Sequence, residues 1–136
     1  MKKYINNSLI YEILAMIAGV FYREFTKYIG FVGETMLLRV HPHLFVLGVV
    51  FFLILYLLSL NLDFTKSAKL DRHILFYNIG LVFTAIMMEI RGGLQVLNTE
   101  ISPSMDSMIS GIAGIGHIIL GVSLILILLD IKKISQ

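Results

Sequence analysis

Cysteine is absent from the 136 residues. That excludes disulfides, cysteine-ligated zinc, iron–sulfur clusters and covalently attached c-type haem. Tryptophan is absent too, which removes the best ring for an aromatic cage around an organic cation. Charge is scarce: 15% of residues are Asp, Glu, Lys or Arg, against about 25% in a soluble domain. The net charge of +2 is spread over the ends of apolar runs rather than gathered in one patch, so nucleic acid is not an expected partner. What is abundant is hydrocarbon. Apolar residues make up 57% of the chain and mean hydropathy is +0.87, which excludes a soluble globule or a disordered chain and makes the lipid bilayer the expected surroundings.

Four apolar segments stand out: Ser8–Tyr22, Met36–Leu60, Ile74–Ile90 and Met108–Leu129. A span needs about 20 residues for a hydrocarbon core of about 30 Å. The second and fourth meet this directly, and the first and third meet it with polar ends at the interface. The runs are too long and continuous for the two-residue alternation of a barrel. The expectation is all-α: a single four-helix transmembrane domain over 1–136, with helices at about 8–24, 36–60, 73–91 and 106–130. Lysine and arginine counts of seven against four place both termini on the cytoplasmic side. The first segment does not read as a cleaved signal peptide, since it carries Glu12 and ends in Phe-Tyr-Arg-Glu-Phe. The loops are short, so function is expected within the bundle or on its surface.

An ionisable residue inside a span is costly and marks a functional hypothesis. Glu12 lies in the first segment, on one helical face with Met16, Gly19 and Arg23. His117 lies near the middle of the fourth, on a face reading Ser110, Gly114, His117, Gly121. Such small residues admit either a close helix or a flat macrocycle with the imidazole projecting into the slot. The second segment opens with Arg39-Val40-His41-Pro42-His43. Two histidines two apart on a helix diverge by about 200°, so they serve different neighbours. Pro42 removes a backbone donor and loosens this turn. Counted from Glu34 and Asp106, His43 and His117 differ in depth by about 3 Å; counted from Leu60 and Leu129 the offset is about 7.5 Å. Both separations let two rings reach one iron. Arg23, Arg39 and Arg91 lie at the outer boundary, where guanidinium forks suit the propionates of a haem or the nearby glutamates. His73 reads as interfacial, and Tyr77, Thr84, Met88 and Arg91 form a polar stripe along the third helix.

The run His41-Pro42-His43-Leu44 through Gly48 resembles the His-x-His-Leu-x-x-x-Gly helix of the haem–copper oxidase superfamily, most closely its nitric oxide reductase branch. The resemblance covers about ten residues. It implies that His41 and His43 are axial ligands on opposite faces, His43 to a low-spin haem, with His117 the candidate opposite ligand. An oxidase core has about twelve helices and three further histidines around a second metal. This chain has four histidines in all, which argues against a binuclear centre within one chain and leaves enzyme activity open. Over nearly its full length the chain is also similar to a small family of uncharacterised four-helix bacterial membrane proteins, through Gly19–Lys27, His41–Gly48, Tyr77–Gly80 and Gly111–His117. That resemblance implies a multi-pass protein of the bacterial cytoplasmic membrane.

The leading expectation is a b-type haem protein for electron transfer or for gas or haem binding, with His43, His117 and His41 as candidate ligands. Gly114 and Gly121 would flank the macrocycle, and Arg39, Arg23 and Arg91 would meet its propionates. A redox partner and a homo-oligomer follow as expected associates. Two other readings compete: a proton-coupled small-molecule exporter using Glu12, and a cofactor-free accessory membrane subunit. A copper or zinc site made by the histidines is a further alternative.

Overall fold

The computed structural model describes residues 2–136. Four helices run up and down: α1 (Lys2–Ile29), α2 (Leu37–Ser59), α3 (Leu70–Val96) and α4 (Pro103–Ile134). Among the described residues there is no strand, and each helix is long and apolar enough to cross a membrane. The chain is therefore an all-α membrane protein. α2 keeps within one residue of the expected 36–60, whereas α1, α3 and α4 run past the limits expected from hydropathy, most clearly α1, which takes in Lys2–Asn7 and Phe25–Ile29. Apolarity marks the part of a helix that meets hydrocarbon, and polar turns at either end continue the same backbone ladder.

Local chemistry sets the boundaries. α1 stops at Gly30, whose φ of 71° is the left-handed conformation that closes a helix and that glycine adopts freely. α4 starts at Ser102, whose hydroxyl accepts the Met105 N–H at 3.2 Å, with Pro103 in the first helical position. Between α2 and α3 a short turn at Phe64–Lys66 is held by Asp63, which accepts from both the hydroxyl and the N–H of Thr65. Those bonds hold its carboxyl below the usual carboxylate range.

α2 is not uniform. Its first seven residues are α-helical, and Leu44–Val50 form a π-helical segment before α geometry resumes at Phe51. The break in register follows Pro42 directly, the residue expected to loosen this turn. Carbonyls of the π segment take side-chain donors from both neighbours: Ser8 Oγ donates to Val49 O at 3.0 Å, and Tyr77 OH donates to Leu47 O at 2.7 Å. Gly48 lies against Tyr11, where a Cβ would fall 2.5 Å from the ring.

The packing follows chain order: α1 on α2, α2 on α3, and α4 chiefly on α3. One core cluster joins residues of all four, including Tyr11, Phe52, Tyr77 and Ile127. The α3–α4 contact is closest at Gly80, where a Cβ would lie 2.7 Å from the Leu120 backbone nitrogen, and at Gly116, where one would lie 2.7 Å from the Phe83 ring. Small residues allow this approach, the usual basis of helix association in a bilayer. The chain termini share one end, tied by the Lys3–Asp71 ion pair and by His73 to Asp130. At the opposite end Thr35 Oγ1 donates to Gly92 O at 3.0 Å, and the Met36 N–H donates to Gln95 Oε1 at 2.8 Å.

Candidate functional site

The four histidines have four different surroundings. His41 is half-buried against α1: its Nδ1 donates to Ala15 O at 2.8 Å, and its ring covers Gly19. It faces away from His43, as their spacing requires. His43 Nδ1 donates to Arg39 O at 2.8 Å and His117 Nδ1 donates to Ala113 O at 3.0 Å, each to its own helix one turn back. His43 is half-buried and His117 exposed on the surface that lipid would cover. A carbonyl only accepts, so in these three rings Nδ1 donates, and in the neutral imidazole Nε2 is the nitrogen that carries the lone pair.

The flanks that bear His43 and His117 border the same side of α3. His43 shares its flank of α2 with Met36 and Leu47, seven residues before and four after it. Both of those backbones bond to α3, at Gln95 and Tyr77. His117 shares its flank of α4 with Leu124, one heptad on, which is packed against the core. The other flank of α4, with Ile118, Val122 and Leu126, borders Phe76 instead. Tyr77, Thr84, Met88 and Arg91, the polar stripe seen in the sequence, lie between the two histidine-bearing flanks. Thr84 Oγ1 is buried there with no hydrogen-bond partner.

Depth can be read from the contacts of α3. Leu37 meets Gly92, so His43, six residues further in, is level with about Ile86. Gly116 meets Phe83 and Thr84, so His117 is level with about Phe83. At 1.5 Å per residue the offset is roughly 4–5 Å, between the two values counted from the sequence. The rings are not joined: among the described residues no hydrogen bond or ring contact connects them, and α2 and α4 pack on α3 rather than on each other. Nor do three His, Asp or Glu side chains gather closely enough to hold a metal ion among the described residues.

The other candidates divide. Gly114 and Gly121 are open, with nothing within 4 Å of an added Cβ, and so is Gly111. None of them serves a helix contact within the chain. Arg39 is exposed one turn from His43. Arg91 is engaged, donating to Asp106 and Ser110 Oγ at 2.7 Å each across to α4. Arg23 is on α1, exposed and beside Glu24 at 3.6 Å. Glu12 is half-buried and its Oε2 has no partner.

Sequence reasoning missed the partner of His73. Its Nδ1 meets Asp130 Oδ2 at 2.6 Å, joining the start of α3 to the end of α4. The signal was an aspartate directly after the apolar run, between Leu129 and Ile131, which reads as the end of the span. α4 continues to Ile134 and buries Asp130.

The family model described as a protein of unknown function, DUF2871, matches residues 1–134. The chain belongs to this family. The full-length likeness to an uncharacterised family thus holds, and it brings no activity with it. No curated protein and no solved structure matches the chain.

Proposed function

We propose that the chain is an integral protein of the bacterial cytoplasmic membrane that binds haem b, whose iron His43 and His117 would hold. One observation carries this reading. Two imidazoles at nearly equal depth, on flanks of α2 and α4 that border the same stripe of α3, each have Nδ1 committed to a carbonyl and Nε2 free. A backbone carbonyl on the far nitrogen is the usual device that fixes the tautomer and orientation of a metal-ligating histidine. An unpartnered nitrogen acceptor facing hydrocarbon is unfavourable, and iron would satisfy it.

The donor set fits the group. Haem iron takes neutral imidazole nitrogen, and its macrocycle needs a flat apolar wall beside the ligand. The open Gly114 and Gly121 supply that wall on α4. Arg39, one turn from His43, is the residue best placed for a propionate, while Arg91 already holds Asp106. The ten-residue likeness to the haem-bearing helix of the oxidase superfamily supports His43 in this role. It would assign a second haem to His41, but that ring faces α1, against Ala15 and Gly19, away from the flank of α2 that bears His43. Iron held by both histidines would supply one-electron chemistry.

A second reading, proton-coupled export through Glu12, is favoured by the unpartnered Oε2 alone. The two separate in one experiment. Apo-protein in mild detergent, titrated with haem, is expected to give a Soret band saturating at one haem per chain and shifting on dithionite reduction. Glu12→Gln leaves this unchanged. Protein that stays colourless through the titration rejects the haem reading.

A further inference from the structure

The haem reading leaves the end of the bundle near the termini unused, and a second constellation lies there. His73, on the first turn of α3, meets Asp130, near the end of α4, at 2.6 Å, with side chains only 16% and 10% exposed. A carboxylate accepts and does not donate, so Nδ1 of the ring faces Asp130 with its proton, and Nε2 is left for another partner. His73 also lines a crevice of about 260 Å³ between α3 and α4, with Phe76, Ile118, Val122, Ser123 and Leu126. Ser123 is on the same face of α4 as Asp130, two turns away. The crevice therefore has one oriented imidazole, one hydroxyl, one aromatic ring and otherwise aliphatic walls. The wall residues Ile118 and Val122 are exposed on the surface that meets lipid.

We propose that this crevice binds the ring head of a lipid-soluble quinol, with a hydroxyl of that head donating its hydrogen bond to His73 Nε2. The occupant must be small at its polar end, because 260 Å³ is below the roughly 300–1,000 Å³ of a site that encloses a drug-sized ligand. It must be neutral. No lysine or arginine lines the crevice, and Asp130 would repel a phosphate, so an anionic lipid headgroup does not fit. A bare hydrocarbon tail would leave His73 Nε2 without a partner. Two protein donors or acceptors are too few for a metal ion. A flat neutral ring that carries hydroxyl groups satisfies each condition. His73 accepts from a quinol hydroxyl through its lone pair, Ser123 offers a second polar contact, and Phe76 provides a face for stacking. The apolar tail continues along Ile118 and Val122 into the bilayer. The proposal is independent of haem.

The test is calorimetric titration of the full chain in mild detergent with decylubiquinol, kept reduced under anaerobic conditions and corrected for protein-free micelles. Saturable binding at one per chain is expected. His73→Ala should weaken it about tenfold or more, the loss of roughly one well-made hydrogen bond, and Asp130→Asn should weaken it less. His117→Ala should leave it unchanged. Ile118→Trp fills the crevice from the lipid side without touching the pair, so it should abolish binding while the protein melts as wild type does. Absence of saturable binding, wild-type affinity in both His73→Ala and Ile118→Trp, or equal affinity for decanol would each overturn the proposal.

Discussion

Alanine at His43 or at His117 is expected to convert a low-spin six-coordinate haem spectrum to a high-spin one, and the double substitution to abolish haem binding. The expectation follows from placement. Each ring is the only imidazole its helix carries on the flank beside the Tyr77–Arg91 stripe, and each has Nδ1 bonded to a carbonyl of its own helix. Loss of an outer partner of a metal ligand costs about 10–100-fold in affinity, and loss of the ligand itself should exceed that. His41→Ala is the informative control. It removes a bond between α1 and α2, worth roughly 0.6 kcal/mol in a membrane interior, and should lower the melting temperature slightly while leaving the spectrum intact. Absorption spectra of the three variants, recorded oxidised and reduced, check this. A His41→Ala spectrum that turns high-spin, with His43→Ala unchanged, would move the ligand to the other face of α2.

The second large effect is structural. Gly80→Leu is expected to abolish stable expression or to lower the melting temperature in detergent by many degrees. A Cβ at Gly80 would stand 2.7 Å from the backbone nitrogen and 2.9 Å from the Cα of Leu120. Backbone cannot swing aside as a side chain can, so α3 and α4 would have to separate. Overpacking in a tight core typically costs about 1–3 kcal/mol, and here the displacement would also break the His73–Asp130 and Arg91–Asp106 bonds that close the same pair of helices at its two ends. Gly114→Ala and Gly121→Ala, which meet nothing within 4 Å, should melt within a degree or two of wild type. Thermal melts followed by circular dichroism separate the two classes. A stable, well-expressed Gly80→Leu protein would mean that α3 and α4 are not packed as described.

Much of this fold was legible in the sequence because a bilayer enforces a simple grammar. Without water in the hydrocarbon, backbone groups must bond within a helix, so four long apolar runs mean four helices. The divergence of His41 and His43 was equally legible, being a consequence of helical spacing alone. The order of packing was not. Nothing in the apolar runs says that α4 rests on α3 rather than on α2; that depends on Gly80 meeting Leu120 and, one turn away, Gly116 meeting Phe83 and Thr84. The π segment after Pro42 was visible only as a weakened turn, because the register of the following bonds is decided by Tyr11 pressing on Gly48 and by the donors of Ser8 and Tyr77. The His73–Asp130 pair needed two residues 57 positions apart to be brought to one end of the bundle. Arg91 was expected near glutamates or a propionate, and it bonds Asp106 because α3 and α4 leave their short connection side by side.

The central claim is that one imidazole from α2 and one from α4 hold a common iron. It is tested most directly by the electron paramagnetic resonance spectrum of oxidised, haem-loaded protein containing ¹⁵N-histidine. The account predicts a low-spin ferric signal with hyperfine coupling to two histidine nitrogens, reduced to one in either His43→Ala or His117→Ala. A high-spin signal in the wild-type protein, or two-histidine coupling that survives both substitutions, would contradict it.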